Sequence, residues 1–205
     1  MTSSEMKQKV LAIMFGDCHV DQNHNSGKAR LDVYHQEENY DLLLYKKSIL
    51  EQVNGVKVTI KGKDDFRNLK TKSHRKGYRL QTNFSRYFYK NYNAPFKFVG
   101  KQLVKPKALA ILWQDDGTLM KKGSNFSSAT LAVDAWEEWR IDNFRKAWNN
   151  FYGWSPIKFN YKCRGKEYYR LRLRKQEFLM LSEQIEPYCV DSMKYKVTLK
   201  TSGSN

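Results

Sequence analysis

Two aspartates, Asp17 and Asp116, follow apolar segments whose composition and spacing match each other. The segments 7–17 and 106–116 are rich in Leu, Ala and Ile, and each predicts a short helix that ends at its aspartate. A carboxylate at the C-terminal end of a helix opposes the helix dipole, so it gains nothing locally. Because such an acid occurs in both segments, we infer that the two acids bind a ligand. A divalent cation would compensate the unfavourable charge.

The charge of the chain indicates a polyanionic partner. The 205 residues include 37 Lys and Arg against 21 Asp and Glu, which gives a formal net charge of +16. Nucleic acid and an anionic membrane surface are the two candidates. No apolar run approaches the roughly 20 residues that span a bilayer, so we expect no integral membrane protein. Carboxylates that hold Mg²⁺ beside a nucleic acid would support phosphodiester hydrolysis.

The cysteines and the first residues give an expectation about the compartment. Cys18, Cys163 and Cys189 are odd in number and irregular in spacing, which predicts neither a disulfide framework nor a zinc site. The opening residues have no signal-peptide pattern. We therefore expect a cytoplasmic protein, or one of an organellar matrix if its gene is organellar, with no membrane partner.

An internal repeat relates the two halves of the sequence. The offset of 99 residues that aligns Asp17 with Asp116 also aligns other positions along the chain. It pairs Glu38 with Glu137, Tyr40 with Trp139, Val58 with Ile157, Ile60 with Phe159, and Phe96-Lys97-Phe98 with Tyr195-Lys196-Val197. The repeat predicts two halves of one architecture, residues 1–104 and 105–205.

Each half has the same predicted order of elements: a short helix, a hairpin, an amphipathic helix, a second hairpin and a closing helix. Apolar and basic residues alternate in segments such as 157–164 and 169–174, and this places one strand face on a core and the other in solvent. We expect the solvent face of each sheet to carry Lys and Arg.

Two basic sheets related by a pseudo-twofold repeat would suit duplex DNA, since its major groove admits a two-stranded ribbon. Arginine can read guanine there, and lysine supplies contacts to phosphate. The expected DNA contacts on or beside the strands are Lys28, Arg30, Lys57, Lys61, Arg79, Lys121, Lys158, Lys162, Arg170, Arg172 and Arg174.

The two apolar segments resemble the signature motifs of LAGLIDADG homing endonucleases, of the single-chain, double-motif type encoded in mobile introns. The second motif, Pro106-Lys-Ala-Leu-Ala-Ile-Leu-Trp-Gln-Asp-Asp-Gly117, is close to the usual form. The first, Leu11-Ala-Ile-Met-Phe-Gly-Asp17, departs from it, because Phe15 and Gly16 stand where acids or glycines are common. The likeness extends over nearly the whole chain.

The resemblance implies an α+β fold of two pseudo-symmetric αββαββα units, with antiparallel β-saddles over DNA and the two motif helices at their interface. It also implies a monomer that binds double-stranded DNA, uses Mg²⁺ or Mn²⁺, and cuts a long asymmetric site to leave short 3′ overhangs. By this resemblance Asp17 and Asp116 are catalytic metal ligands, with the carbonyls of Gly16 and Asp115 as supplementary ligands. A basic residue of each half would lie near the scissile phosphates; Lys196 fits in the second half, and Lys97 in the first, with Lys90 as its competitor.

Two other functions fit parts of the sequence. An intron RNA maturase or a non-cleaving DNA-binding protein on the same fold would explain the basic strands, although such proteins can lose the acids that this chain keeps. A basic structural RNA-binding protein would explain the charge, but neither the repeat nor the paired acids.

Overall fold

The computed structural model describes residues 3–67, 74–122, 125–163 and 165–198. The chain forms two compact units. Unit 1 consists of Met1–Ala94 and Val190–Ser192, and unit 2 of Pro95–Cys189 and Met193–Asn205. In the described residues, no helix is both long and apolar enough to cross a bilayer.

Unit 1 contains three α-helices, a short 3-10 helix at Glu37–Asn39 and one four-stranded sheet among its described residues. In chain order the elements are α1 (Ser3–Phe15), β1 (Cys18–Asn23), β2 (Lys28–Gln36), α2 (Tyr40–Leu50), β3 (Val58–Arg67), β4 (His74–Thr82) and α3 (Arg86–Tyr92). The strands are antiparallel and lie in the order β1-β2-β4-β3. Helix α1 packs on α2, α3 and β1.

Unit 2 repeats this arrangement. Its elements are α4 (Phe96–Leu103), α5 (Pro106–Asp116), β5 (Gly117–Lys122), β6 (Asn125–Ala132), α6 (Glu138–Tyr152), β7 (Ile157–Cys163), β8 (Lys166–Arg174) and α7 (Lys175–Ile185), followed by a short 3-10 helix at Glu186–Tyr188. A last 3-10 helix, Asp191–Lys196, has its first two residues in unit 1 and the others in unit 2. The antiparallel order β5-β6-β8-β7 matches that of unit 1. Two similar α+β halves are therefore confirmed.

Helix α4 belongs to unit 2, although the sequence repeat assigns residues 96–103 to the first half. The helix packs on α6, with Gly100 facing that helix. A Cβ at Gly100 would make ordinary van der Waals contact, at 3.5 Å, with the Ala147 Cβ and the Asn143 main-chain oxygen. Packing thus divides the chain between Ala94 and Pro95, about one helix before the division that the repeat predicts.

Each sheet buries one face against helices and leaves the other, here called its open face, turned away from them. In unit 1, Leu31, Val33 and Leu80 are fully buried on the helix side. In unit 2, Leu171 and Leu173 are buried in the same way. Because side chains alternate along a strand, residues at intervening positions lie on the open face.

Candidate active site and nucleic-acid interface

The end of α5 is fixed by close packing of main chain against an indole. Pro106 occupies the first turn, where its missing N–H costs nothing, and Asp116 is the last helical residue. The N–H of Gly117 bonds to the Trp113 main-chain oxygen. A Cβ at Gly117 would lie 2.5 Å from that oxygen and 2.6 Å from the Trp113 ring, so only glycine fits. The chain passes directly from helix to strand, with a half-buried Asp116 at the junction.

Lys196 is tied to this same helix end. Its Nζ donates hydrogen bonds to the main-chain oxygens of Gln114, at 2.6 Å, and Asp115, at 2.9 Å. In return, the Trp113 Nε1 donates to the Lys196 main-chain oxygen at 3.0 Å. A cation at the C-terminal end of a helix satisfies free carbonyls and interacts favourably with the helix dipole. Lys196 therefore stabilises the turn that carries Asp116.

Asp115 lies on the protein side of this turn. Its side chain is buried, as is that of Gln114, whose amide donates to the Ala110 carbonyl at 3.0 Å. The Asp115 carbonyl, expected as a supplementary metal ligand, accepts the hydrogen bond from Lys196. A carbonyl oxygen has two lone pairs, so a ligand role for it stays a prediction.

In unit 1 the helix ends earlier than the sequence predicts. Helix α1 ends at Phe15, and Asp17 lies in a bend before β1. The Gly16 N–H still bonds to the Ala12 oxygen at 2.9 Å, and the Gly16 oxygen accepts from the Cys18 N–H at 2.7 Å. Asp17 is exposed. The acid thus follows the last helical turn instead of ending it, because the chain turns at Gly16 to enter β1.

The two candidates for a basic residue in the first half lie in different units. Lys97 is an exposed residue of α4 in unit 2, with its Nζ 5.1 Å from the ring centre of Phe98. Lys90 is an exposed residue of α3, which packs on α1 in unit 1. Only Lys90 therefore belongs to the same unit as Asp17, and a catalytic role for either lysine stays a prediction.

The chemistry of the two acids fits a magnesium-type ion. No group of three or more His, Cys, Asp or Glu side chains that could enclose a metal occurs in the described ranges. Mg²⁺ does not need such a group, because it keeps several waters and usually binds one or two carboxylates together with substrate phosphates. Asp17 and Asp116, each accessible at a helix–strand junction, provide carboxylates of this kind.

On the open face of unit 1, basic and acidic side chains are interleaved. Lys61 lies directly across from Arg79 in the β3–β4 pairing. Arg30 forms an ion pair with Asp21 at 2.9 Å, with both side chains about one-third exposed. The buried carboxylate of Asp32 accepts two hydrogen bonds from Arg79. Two of the basic residues, Arg30 and Arg79, are therefore held by acids of the same face.

On the open face of unit 2, arginines lie over aromatic rings. Register places Phe159 opposite Arg170 and Ile157 opposite Arg172. The guanidinium carbon of Arg172 is 5.2 Å from the ring centre of Phe159, and that of Arg170 is 4.4 Å from the ring centre of Tyr161. These are cation–π distances. The rings restrict the arginines to defined positions above the sheet.

The expectation that Lys158 and Lys162 share this face is wrong. Register pairs Lys158 with Leu171, a core residue, so its side chain leaves β7 on the helix side. Its Nζ lies 2.8 Å from Glu138 and 2.9 Å from Asp142, both on α6. Lys162 lies on the same side of β7, and its Nζ is 3.5 Å from the Glu167 Oε1. The alternation in the segment 157–164 is real, but its aromatic residues, and not its lysines, lie beside the arginines.

The remaining predicted contacts are accessible and lie at strand ends. Lys28 begins β2 and Arg174 ends β8, while Lys57 immediately precedes β3. Lys57, Lys121 and Arg174 are exposed, and Lys28 is half-buried. Lys121 follows an irregularity in the β5–β6 pairing after Met120. Their contacts with DNA stay predictions.

The sequence reasoning missed the residues that orient the basic side chains. Asp32 and Tyr34 contact Arg79, and Gln81 donates to Asp32. Asp134 and Tyr161 contact Arg170. The signal was present in β2, where polar residues at 30, 32 and 34 alternate with Leu31 and Val33. Reading only the charges of the basic residues overlooked it.

Comparison with known proteins identifies the fold class first. The structure superimposes on the homing endonuclease I-WcaI bound to its DNA recognition sequence with a TM-score of 0.72, covering 97% of this chain and 88% of that chain at 14% identity. For I-DmoI in complex with DNA and manganese the TM-score is 0.57, with 90% and 97% covered at 14% identity. Mesophilic variants of I-DmoI give 0.57, with 89% of each chain covered at 15% identity. At such identities the likeness shows a common fold.

The sequence itself gives the family. The model of the LAGLIDADG DNA endonuclease family matches residues 8–181, which include both aspartate motifs and both sheets. No curated protein sequence matches the chain significantly. The chain belongs to the LAGLIDADG DNA endonuclease family.

Proposed function

We propose that this chain is a site-specific homing endonuclease that cuts both strands of a long, asymmetric DNA site by metal-assisted phosphodiester hydrolysis, leaving short 3′ overhangs. One motif acid would serve each strand. The observation that carries the proposal is the end of α5, where Trp113, Gly117 and Lys196 hold the turn that presents Asp116. A protein that only binds DNA has no need of an acid on a turn fixed in this way.

The acids would hold the cation. Asp17 and Asp116 would each bind a divalent ion, Mg²⁺ or Mn²⁺, together with phosphate oxygens of the DNA. When bound, such an ion acts as a Lewis acid and lowers the pKa of a water molecule that it coordinates. The solved complexes of I-DmoI with DNA and manganese, and with DNA and calcium, support this choice of cofactor by analogy.

The protein groups contribute position and charge. Lys196 would keep the last turn of α5 intact when negative charge from the phosphate and Asp116 accumulates there. Preorganised cations of this kind stabilise charge without a reorganisation cost. Lys90 or Lys97 would serve the first half, and the open faces would hold the duplex through phosphate and base contacts.

A cleavage selection tests the proposal. The purified chain is incubated with a library of DNA duplexes and Mg²⁺, and the cut ends are sequenced. We expect one long site whose two strands are cut a few nucleotides apart with 3′ extensions, and no cutting when EDTA replaces Mg²⁺. The exposed acid Glu183 offers a control, since Glu183→Gln leaves both motif acids in place. Selective binding without cleavage would instead support the non-cleaving alternative.

A further inference from the structure

One acid, Asp32, lies in the middle of the open face of unit 1, where DNA phosphates would repel a carboxylate. Asp32 belongs to β2, an internal strand of its sheet, and points to the open face beside Arg79 and Gln81. Only 3% of the residue is exposed. A carboxylate on a phosphate-binding face weakens binding unless it serves another group. Its neighbours show which group that is.

Asp32 holds the Arg79 guanidinium through two parallel hydrogen bonds. The Arg79 Nε donates to Oδ1 and its Nη2 to Oδ2, both at 2.6 Å. The Gln81 amide donates to the same carboxylate at 3.3 Å. The Tyr34 ring lies 5.3 Å from the guanidinium carbon. A bidentate pair of this type fixes the plane of the guanidinium as well as its position.

Electrostatics keeps this pair ionised. Burial raises the pKa of Asp32, but hydrogen bonds from Arg79 and Gln81 and the charge of Arg79 outweigh it, and the net shift is downward. The hydrogen bond to Asp32 raises the pKa of Arg79. The pair is therefore charged throughout the physiological range, and its geometry does not depend on pH there.

The donors that remain on Arg79 match one base. The bonds to Asp32 use the Nε–H and one N–H of Nη2, so three of the five N–H groups of the guanidinium remain. The Arg79 side chain is 36% exposed. Two parallel N–H groups fit the O6 and N7 acceptors of guanine in the major groove. We propose that Arg79 reads a guanine of the target, and that Asp32 is a positioning residue which makes this contact specific.

Lys61 provides the contrast on the same face. It lies directly across from Arg79 in the β3–β4 pairing and is exposed. An ammonium is a compact charge on a flexible stem, suited to phosphate and not to a planar pair of acceptors. Arg79 and Lys61 should therefore contribute differently, Arg79 to discrimination between bases and Lys61 to affinity for any duplex.

Unit 2 contains a similar arrangement on its corresponding internal strand. Arg170 of β8 donates from Nη2 to the Tyr161 hydroxyl oxygen at 3.1 Å, and that hydroxyl donates to Asp134 Oδ2 at 2.6 Å. The Arg170 Nη2 is 3.5 Å from the same carboxylate oxygen. An acid and a tyrosine thus orient one arginine in each sheet. This recurrence favours readout over a chance surface ion pair.

The inference rests on the proposed function, and a binding selection tests it separately from cleavage. Wild type, Arg79→Gln, Asp32→Asn and Lys61→Gln are each selected against a library of DNA duplexes without Mg²⁺. We expect Arg79→Gln and Asp32→Asn to lose preference for guanine at one shared position by about tenfold or more, the value of a bidentate base contact. Lys61→Gln should keep that preference and bind all sequences more weakly.

Two other outcomes would overturn the inference or the proposed function. If Arg79→Gln and Asp32→Asn leave every base preference intact, or weaken all sequences equally, Arg79 is a phosphate contact and the inference is wrong. If the wild type selects no site, the proposed function fails first. Circular dichroism and thermal unfolding of each variant show that it is folded. Arg79→Lys, which keeps the charge but not the planar fork, provides a second test and should lose the same preference.

Discussion

The Lys196 ammonium lies 2.9 Å from the main-chain oxygen of Asp115, the residue immediately before the motif acid Asp116. Lys196 also donates to the Gln114 main-chain oxygen, and the Trp113 Nε1 donates to the Lys196 main-chain oxygen. These hydrogen bonds connect the end of α5 to the C-terminal 3-10 helix. Lys196 thus acts on the main chain that carries Asp116, and this relationship leads to the first prediction.

Replacing Lys196 with Met should destabilise the protein. The change removes two charge-assisted hydrogen bonds from a half-buried site, and we expect a loss of about 1–2 kcal/mol in the free energy of unfolding. Lys97→Met is the matched control, since the repeat pairs these two lysines but Lys97 is exposed on α4. Urea unfolding measures both. Equal losses for the two variants would show that the bonds to Gln114 and Asp115 contribute nothing.

Replacing Gly117 with Ala should disturb the helix–strand junction. A Cβ there would meet main-chain and ring atoms of Trp113 at 2.5–2.6 Å, and relief of such overlap costs about 1–3 kcal/mol. Gly62→Ala is the control, because a Cβ at Gly62 would have its nearest neighbour, in Tyr78, at 3.9 Å. Thermal unfolding should show a clear decrease only for Gly117→Ala. An unchanged midpoint would mean that Trp113 moves aside freely.

Much of this junction was predictable. The apolar run, Pro106 and Gly117 predict the limits of α5 correctly, because each acts locally. The end of α1 was less predictable, since Gly16 turns the chain before Asp17. The hydrogen bonds of Lys196 to the end of α5 were not predictable, because Lys196 comes 80 positions after Asp116 in the sequence.

Strand faces show why alternation alone is insufficient. In β7 the pattern gives two sets of residues but not the face that each set occupies, and only pairing with β8 decides it. Lys46 illustrates the same point in a helix: it is fully buried, 2.9 Å from the His35 ring, whereas its neighbour Lys47 is half-buried. A charged residue in a core depends on a partner from another element, which periodicity does not reveal.

Arg172 and Lys158 lie on opposite faces of the unit 2 sheet, so their replacement should affect DNA binding differently. Arg172→Gln should weaken binding to any duplex and decrease the slope of log affinity against log salt by about 1, if Arg172 contacts one phosphate. Lys158→Gln should leave both unchanged, because Lys158 lies on the helix side against Glu138 and Asp142. Fluorescence anisotropy at several salt concentrations measures this. A loss of affinity for Lys158→Gln alone would reverse the assignment of faces.

The Asp32–Arg79 pair predicts a pH dependence of stability. Because the pKa of Asp32 is below its usual 3.8 in the folded protein, its contribution is fully present above that value. The contribution disappears as the pH decreases through the lower, folded pKa. The difference in unfolding free energy between wild type and Asp32→Asn should therefore be constant at neutral pH and shrink below about pH 4. A difference independent of pH would contradict the downward shift.

The central claim is that Asp17 and Asp116 cut DNA. It is tested by incubating wild type, Asp17→Asn and Asp116→Asn with the selected target and Mg²⁺, while DNA binding is measured in parallel. We predict that each variant binds the target nearly as well as wild type and makes no double-strand cut, with Glu183→Gln cutting normally. Full-rate double-strand cleavage by either aspartate variant would contradict the account.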